Sequence, residues 1–129
     1  LSERVTLSPS PCLRRLRLLE EQGVITGYTA MLDQKAWGLP VTGFIRIKLE
    51  RHGDDAVQAF ERTIMEMPKV MDGWLMTGRS DYILRVIAAD LDDYEQFVRR
   101  ELQRVPGIAS IDTSFAYGSV KHAQVLPDT

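Results

Sequence analysis

Three arginines lie close together in the segment LSPSPCLRRLRLLEEQGVI, which spans residues 7–25. The guanidinium fork of arginine suits it to bind a phosphate or to read a guanine base through two hydrogen bonds. Residues 1–19 carry four arginines and one glutamate, a net charge of +3, and since the whole chain carries −2, the remaining residues carry −5. A basic end on an acidic body indicates that contact with a polyanion is confined to that end.

The same segment has the features of a helix that runs from Pro9 to Gln22. Ser8 suits the N-cap, Pro9 the first helical position, and Gly23 the left-handed position after the last turn. At helical spacing the side chains separate onto two faces. The apolar face holds Cys12, Leu13, Leu16 and Leu19, and the basic face holds Ser10, Arg14 and Arg17, with Arg15 on its flank. The sequence therefore predicts a helix with one core face and one face for a polyanion.

Elsewhere, the residue types used in catalysis and metal binding are isolated. Cys12 is the only cysteine. A thiolate near arginines could act as a redox sensor, but its place on the apolar face favours a buried structural role. His52 and His122 are far apart, and neither has partners at metal-ligand spacing. No phosphate-binding loop or hydrolase motif occurs. We therefore expect no metal, no cofactor and no enzymatic activity.

The composition is that of an ordinary globular protein, with 44% hydrophobic and 26% charged residues. No apolar run approaches the roughly 18 residues of a membrane span, and no signal peptide opens the chain. We expect a cytoplasmic protein.

From Val41 onward, the apolar pattern predicts an α+β domain. VTGFIRIKLE alternates as a half-buried strand does, with Val41, Gly43, Ile45, Ile47 and Leu49 on one side. Strands are also expected at 70–77, 82–89 and 108–117, and helices at 54–68 and 90–107. The expected helical core positions are Val57, Phe60, Ile64 and Met67, then Leu91, Tyr94, Val98, Leu102 and Val105. The order β-α-β-β-α-β is that of a ferredoxin-like fold, a four-stranded antiparallel sheet with two helices on one face.

The other face of this sheet has no cover from the predicted elements. The side chains expected there are apolar or aromatic and come from among Phe44, Trp74, Met76, Ile83 and Phe115. An apolar sheet face is normally buried against a partner, and a second copy of the chain is the simplest one. The sequence therefore predicts a homodimer.

Several motifs, in this order, resemble the Lrp/AsnC family of bacterial and archaeal regulators, also called feast/famine regulators. They are LSPSPCLRRLRLLEEQGVITGY, LERH, TGRSDYILRV followed by DLDDYEQF, and VPGIASIDTSFAYGSVK, so the resemblance runs from Leu1 to about Lys121. It implies a partial winged helix-turn-helix at 1–32, a linker at 33–40, and a ferredoxin-like domain at 41–129 that binds an effector and oligomerises. The chain begins where the family would have completed its first helix and most of its second, so weakened DNA binding is expected.

The resemblance gives the basic helix a DNA-reading role. Residues 1–5 would end the second helix of the module, and Pro9–Gln22 would be the recognition helix, whose start enters the major groove of double-stranded DNA. VITGYTAML, residues 24–32, would be a wing-like strand. The residues expected to contact DNA are Ser8, Ser10, Pro11, Arg14, Arg15 and Arg17.

The resemblance also implies an effector site near the dimer interface, at the turn between the second and third strands of the domain. The expected contacts are Thr77, Gly78, Arg79, Ser80, Asp81 and Tyr82, with Thr113 and Ser114 on the last strand. Gly78 would let backbone N–H groups approach a carboxylate, and an ionised Asp81 would hold an ammonium group. Taken alone, these residues favour a plain hairpin turn. Arg79 stands where the family often has an acidic residue; it could pair with a polar or acidic effector, or point to solvent.

Two functions stay open from the sequence. The resemblance implies a transcriptional regulator that senses a small effector, usually an amino acid, and whose dimers assemble further, often to octamers. The alternative is a stand-alone effector-binding module or small ferredoxin-like enzyme that does not bind DNA. An enzyme would have to use Asp81 and Arg79 for proton transfer, and an arginine does not titrate usefully.

Overall fold

The structure is a computed structural model that describes residues 10–128. The chain divides into two compact units, with the boundary between Met31 and Leu32. The expected linker, residues 33–40, belongs to the second unit, where Gln34 donates a hydrogen bond of 2.8 Å to Thr42. Within residues 10–128, no helix combines the length and hydrophobicity that a bilayer span requires.

The first unit contains helix α1, Pro11–Glu21. Its N-cap is Ser10, whose side-chain oxygen accepts a hydrogen bond of 3.1 Å from the Leu13 N–H, and Pro11 occupies the first helical position. The helix therefore begins one serine–proline pair later than the predicted start at Ser8 and Pro9, which lie outside the described residues. Both pairs in SPSP satisfy the local rules for a helix start, so those rules could not decide between them.

The apolar face of α1 holds no buried side chain. Cys12 is exposed, so the predicted buried role is wrong: α1 buries none of its side chains fully. Gly23 ends the helix as predicted, with a φ of +77°. The wing-like strand does not form within the described residues, since the chain has no strand between residues 24 and 33.

The second unit is built on the predicted four-stranded antiparallel sheet, in the order β2-β3-β1-β4. The strands are β1 Val41–Leu49, β2 Val70–Leu75, β3 Tyr82–Ala88 and β4 Ile108–Phe115. Central strand β1 places Ile45 opposite Leu84 of β3 and Thr113 of β4. Each edge strand has one extra residue that the pairing register skips, Met71 in β2 and Ala109 in β4.

Two helical segments cover one face of this sheet. They are α2, Asp54–Met65, and α3, Leu91–Phe97, which continues into a π-helical turn at Val98–Leu102. The core between helices and sheet contains Ile45, Ile47, Leu49, Phe60, Ile64, Met67, Tyr82, Leu84, Val86, Ala88, Tyr94, Phe97, Leu102 and Val105. The predicted core face of α2 is confirmed.

In α3 the prediction was partly wrong. Leu91 is 62% exposed, because it begins the helix beside its Asp90 cap, and Phe97 takes a core position instead. The π-helical turn, closed by a hydrogen bond of 2.8 Å from Gln103 N–H to the Val98 carbonyl, adds one residue to the usual helical repeat. Leu102 therefore faces the same core as Phe97.

The face of the sheet opposite the helices is called the open face. Its side chains come from Thr42, Phe44, Arg46, Lys48, Asp72, Trp74, Ile83, Arg85, Ile87, Ser110, Asp112 and Ser114. Four of the five apolar residues expected on this side lie there. Phe44, Ile83 and Trp74 are within the strands, and Met76 comes just after the end of β2. Phe115 is the exception: its ring packs against Tyr94 on the helical face, with centroids 4.9 Å apart. The register of β4 decides this, and alternation within one strand could not.

Candidate functional site

The turn expected to hold an effector joins β2 to β3. The Met76 N–H donates a hydrogen bond of 2.8 Å to the Asp81 carbonyl, which closes the loop between them. Gly78 has a φ of +102°, a conformation that side-chain-bearing residues rarely adopt, although a Cβ there would meet no atom within 4 Å. The backbone therefore requires glycine at this position, and the turn leaves open space around it.

Asp81 fastens this turn to the end of β1. Its N–H donates to the Ile47 carbonyl at 2.9 Å, and its Oδ2 accepts a hydrogen bond of 2.7 Å from the Leu49 N–H. His52 Nε2 lies 3.0 Å from the same oxygen. The bond from Leu49 is the main reason that the pKa of Asp81 falls below its ordinary value of 3.8; His52 adds to the shift, and partial burial opposes it. The carboxylate thus has a structural role that the sequence analysis missed.

Two other residues expected at the effector site, Tyr82 and Thr113, lie on the helical face of the sheet. The Tyr82 hydroxyl donates a hydrogen bond of 2.5 Å to Glu61 of α2, and burial together with this carboxylate raises the pKa of Tyr82. The Thr113 and Tyr94 hydroxyls are hydrogen-bonded at 2.7 Å. Neither side chain reaches the space beside the turn. Side chains alternate between the two faces of a strand, and both of these lie on the face that the helices cover.

An open cavity of about 500 Å³ lies on the open face beside the turn. Its walls come from β1, the turn, β3 and β4, and are formed by Arg46, Lys48, Met76, Thr77, Arg79, Ser80, Ile83, Ser110 and Asp112. Three of the expected effector residues line it: Thr77, Arg79 and Ser80. Ser114 follows Asp112 on the same face of β4, outside the cavity.

The contribution of the strands to this cavity was missed by the sequence analysis. The register of β1 and β4 places Asp112 opposite Arg46, and Ser110 opposite Lys48. Alternation did place Arg46 and Lys48 on the outer side of β1. It could not identify their neighbours on β4, because the register of strands far apart in the chain is set by tertiary packing.

The lining of the cavity is rich in positive charge. Arg46, Lys48 and Arg79 contribute three cations against the single carboxylate of Asp112. A second cleft of about 580 Å³, between α2 and β2, is lined by Glu61, Asp72 and apolar residues, and by no lysine or arginine. Within the described part of the chain, no group of His, Cys, Asp or Glu is placed to hold a metal ion.

The second candidate surface is the basic face of α1. Arg14, Arg15 and Arg17 are all exposed, as is Pro11. The Ser10 hydroxyl is engaged in capping the helix. None of the ion pairs found within residues 10–128 includes these arginines. Of the residues expected to contact DNA, only Ser8 lies outside the described residues.

Comparison with known proteins points to one family along the whole chain. A family model for the Lrp/AsnC ligand binding domain matches residues 42–126, and one for winged helix-turn-helix DNA-binding matches residues 1–26. The DNA-binding transcriptional activator DecR of Escherichia coli (strain K12) is 38% identical over 127 residues, 98% of this chain and 84% of that protein. The Bkd operon transcriptional regulator of Pseudomonas aeruginosa is 41% identical over 120 residues, 93% of this chain and 78% of that protein.

Solved structures agree with these relatives. A transcriptional regulator from Neisseria meningitidis in complex with L-Met matches 98% of this chain and 81% of its own, with a TM-score of 0.86 and 36% identity. An AsnC family transcriptional regulator from Agrobacterium tumefaciens matches 97% of this chain and 81% of its own, with a TM-score of 0.86 and 33% identity. The expected fold is confirmed, and the relatives are regulators of transcription rather than enzymes. The chain therefore belongs to the Lrp/AsnC family of DNA-binding transcriptional regulators.

Proposed function

We propose that this regulator binds double-stranded DNA through α1 and senses an amino acid that binds in the cavity beside the Gly78 turn. The cavity carries the proposal, because it opens at this turn and within the range that the ligand-binding family model matches. The complex of the Neisseria meningitidis relative with L-Met supports an amino acid as the class of effector.

The proposed DNA contacts are those expected from the sequence: Ser8, Ser10, Pro11, Arg14, Arg15 and Arg17. The start of a helix presents unpaired backbone N–H groups and the positive end of the helix dipole, which suit a phosphate. The exposed arginines near that start can then reach further phosphates or the edge of a guanine. Ser10 helps by fixing the first turn through its cap.

The proposed effector contacts are Thr77, Gly78, Arg79 and Ser80, in or beside the cavity. Gly78 lets a carboxylate approach the turn's backbone, since no side chain stands there. Asp81 positions the turn through Ile47 and Leu49 instead of binding the ammonium group. Tyr82 and Thr113 support the sheet from its helical face, and Ser114 borders the site on the open face.

We propose that the open face is the dimer interface, and that dimers assemble further, with an octamer as the expected form. Its apolar members include Phe44, Ile83 and Trp74, of which Trp74 is 46% exposed in the single chain. Covering such side chains removes apolar surface from water, which favours association. An effector can shift this assembly only if it binds one assembly more tightly than another. Action on chromosomal DNA would place the protein in the cytoplasm.

The test is fluorescence anisotropy with a duplex from the gene's own upstream region, beside a scrambled duplex, over a range of salt concentrations. We expect tighter binding to the native duplex, a steep fall in affinity as salt rises, and a change in affinity with at least one of the twenty amino acids. Light scattering after gel filtration measures the assembly in the same samples. If no duplex binds, the proposed DNA-binding role is wrong. If no amino acid changes either the affinity for DNA or the assembly state, the proposed effector role is wrong.

A further inference from the structure

The cavity beside the turn has more positive charge than a neutral amino acid can match. Arg46, Lys48 and Arg79 line it together with one carboxylate, that of Asp112. A neutral amino acid carries one carboxylate and one ammonium group. Its carboxylate could pair with only part of the cationic lining, while its ammonium group would pair with Asp112, the one carboxylate there.

Nearby carboxylates are committed elsewhere. On the open face, Asp72 pairs with Arg85, with Oδ2 and Nε 2.6 Å apart. Asp81 Oδ2 accepts from the Leu49 N–H and contacts His52. Among residues 10–128, none of the ion pairs includes Arg46, Lys48 or Arg79. Lys48 helps to lower the pKa of Asp81, although the two form no ion pair, so the cavity keeps an excess of positive charge.

The register fixes how these groups surround the cavity. Arg46 and Asp112 are directly opposite on neighbouring strands, so their Cβ atoms are about 5 Å apart. Lys48 follows Arg46 on the same face of β1, about 7 Å further along the strand. Arg79 closes the space from the turn, with the small polar residues Thr77 and Ser80 beside it. Cations thus stand on two sides of the cavity, the sheet floor and the turn, with an acid at the floor.

We propose that the effector is a dicarboxylic amino acid, such as L-aspartate or L-glutamate; this rests on the proposed function as an amino-acid sensor. Its ammonium group meets Asp112, one carboxylate meets Lys48 or Arg46 on the sheet, and the other pairs with Arg79 at the turn. An arginine fork holds a carboxylate through two parallel hydrogen bonds, which an amide cannot reproduce. A volume of about 500 Å³ is ample for a ligand of this size.

The acidic amino acids have uncharged partners of nearly the same shape, which makes the test sharp. Isothermal titration calorimetry of the full chain compares L-aspartate with L-asparagine, and L-glutamate with L-glutamine, at one salt concentration. The variants are Arg79→Gln and Lys48→Gln. Arg62→Gln is the matched control, because Arg62 is exposed on α2 and lines neither cleft. Thermal unfolding of each variant checks that it is folded.

We expect at least one acidic amino acid to bind about 10-fold or more tightly than its amide. Arg79→Gln should remove most of that preference, because it weakens binding of the acidic amino acid far more than binding of its amide, and Arg62→Gln should change neither affinity. If neutral amino acids bind as tightly as acidic ones in the unaltered chain, the dicarboxylic class is wrong and the amino-acid sensor stands. If the preference for an acidic amino acid over its amide persists in both Arg79→Gln and Lys48→Gln, the proposed ligand class is also wrong. If no amino acid of either class binds, the inference and the sensor fail together.

Discussion

Replacing Asp81 with alanine removes the acceptor for the Leu49 N–H and the contact with His52. Leu49 is only 3% exposed, so water has little access to an N–H left without a partner. A buried donor without an acceptor costs about 1–3 kcal/mol. We therefore expect Asp81→Ala to lower the free energy of unfolding by about 1–3 kcal/mol, measured by urea denaturation at pH 7 with tryptophan fluorescence as the signal.

Two further variants separate the contributions to this loss. Asp81→Asn keeps an oxygen acceptor but loses the charge, so it should cost less than Asp81→Ala, about 1 kcal/mol. His52→Ala removes only an exposed contact, the side chain being 59% exposed, and should cost below about 1 kcal/mol. Two results would show that the hydrogen bond to Leu49 is not what stabilises the turn. One is a free energy of unfolding for Asp81→Ala within about 0.5 kcal/mol of that of the unaltered chain, and the other is a loss in His52→Ala as large as that in Asp81→Ala.

The same carboxylate predicts a pH dependence. The pKa of Asp81 is lower in the folded protein than its ordinary value of 3.8, so the unfolded chain binds its proton more readily. Its stabilising contribution is therefore complete above that ordinary value and is lost as pH falls through the folded pKa. Urea denaturation at a series of pH values should show that the free energy of unfolding falls less on acidification in Asp81→Asn than in the unaltered chain. An equal loss in both would contradict this assignment.

Three other changes give direct tests. Ile47→Ala empties a fully buried position and should cost about 2–5 kcal/mol in urea denaturation, whereas a loss below 1 kcal/mol would contradict the described core. Gly78→Ala should cost about 1–3 kcal/mol from backbone strain alone, since an added Cβ meets no atom within 4 Å; an unchanged stability would mean that the turn is not held at a positive φ. Arg14→Ala and Arg17→Ala should each reduce the slope of log affinity against log salt by about 0.9 in duplex titrations, and an unchanged slope would mean that the arginine contacts no phosphate.

Local pattern was sufficient where one face of an element is buried along its whole length. The alternation in β1 identified its inner residues, and the helical spacing of Phe60 and Ile64 identified the core side of α2. These patterns follow directly from burial, which repeats with the period of the element. The order of elements then led to the fold, because few arrangements of two helices and four strands are compatible with it.

Features that depend on more distant partners were not predictable. The cationic cavity needs the register of β1 against β4, which brings Asp112 beside Arg46. The side chain of Asp81 finds its partner at Leu49, 32 residues earlier in the chain, and no local rule links the two. The start of α1 was ambiguous for the opposite reason, since two successive serine–proline pairs give the same local signal.

Both edges of the sheet are interrupted by an extra residue, Met71 in β2 and Ala109 in β4. An uninterrupted edge presents a straight row of N–H and C=O groups on which another strand can add, and such addition can repeat without limit to give a fibre. A bulge breaks that row and increases the local twist of the strand. Copies of this chain that meet in the crowded cell are thus directed away from strand-by-strand polymerisation, even though one whole face of the sheet is left open for association.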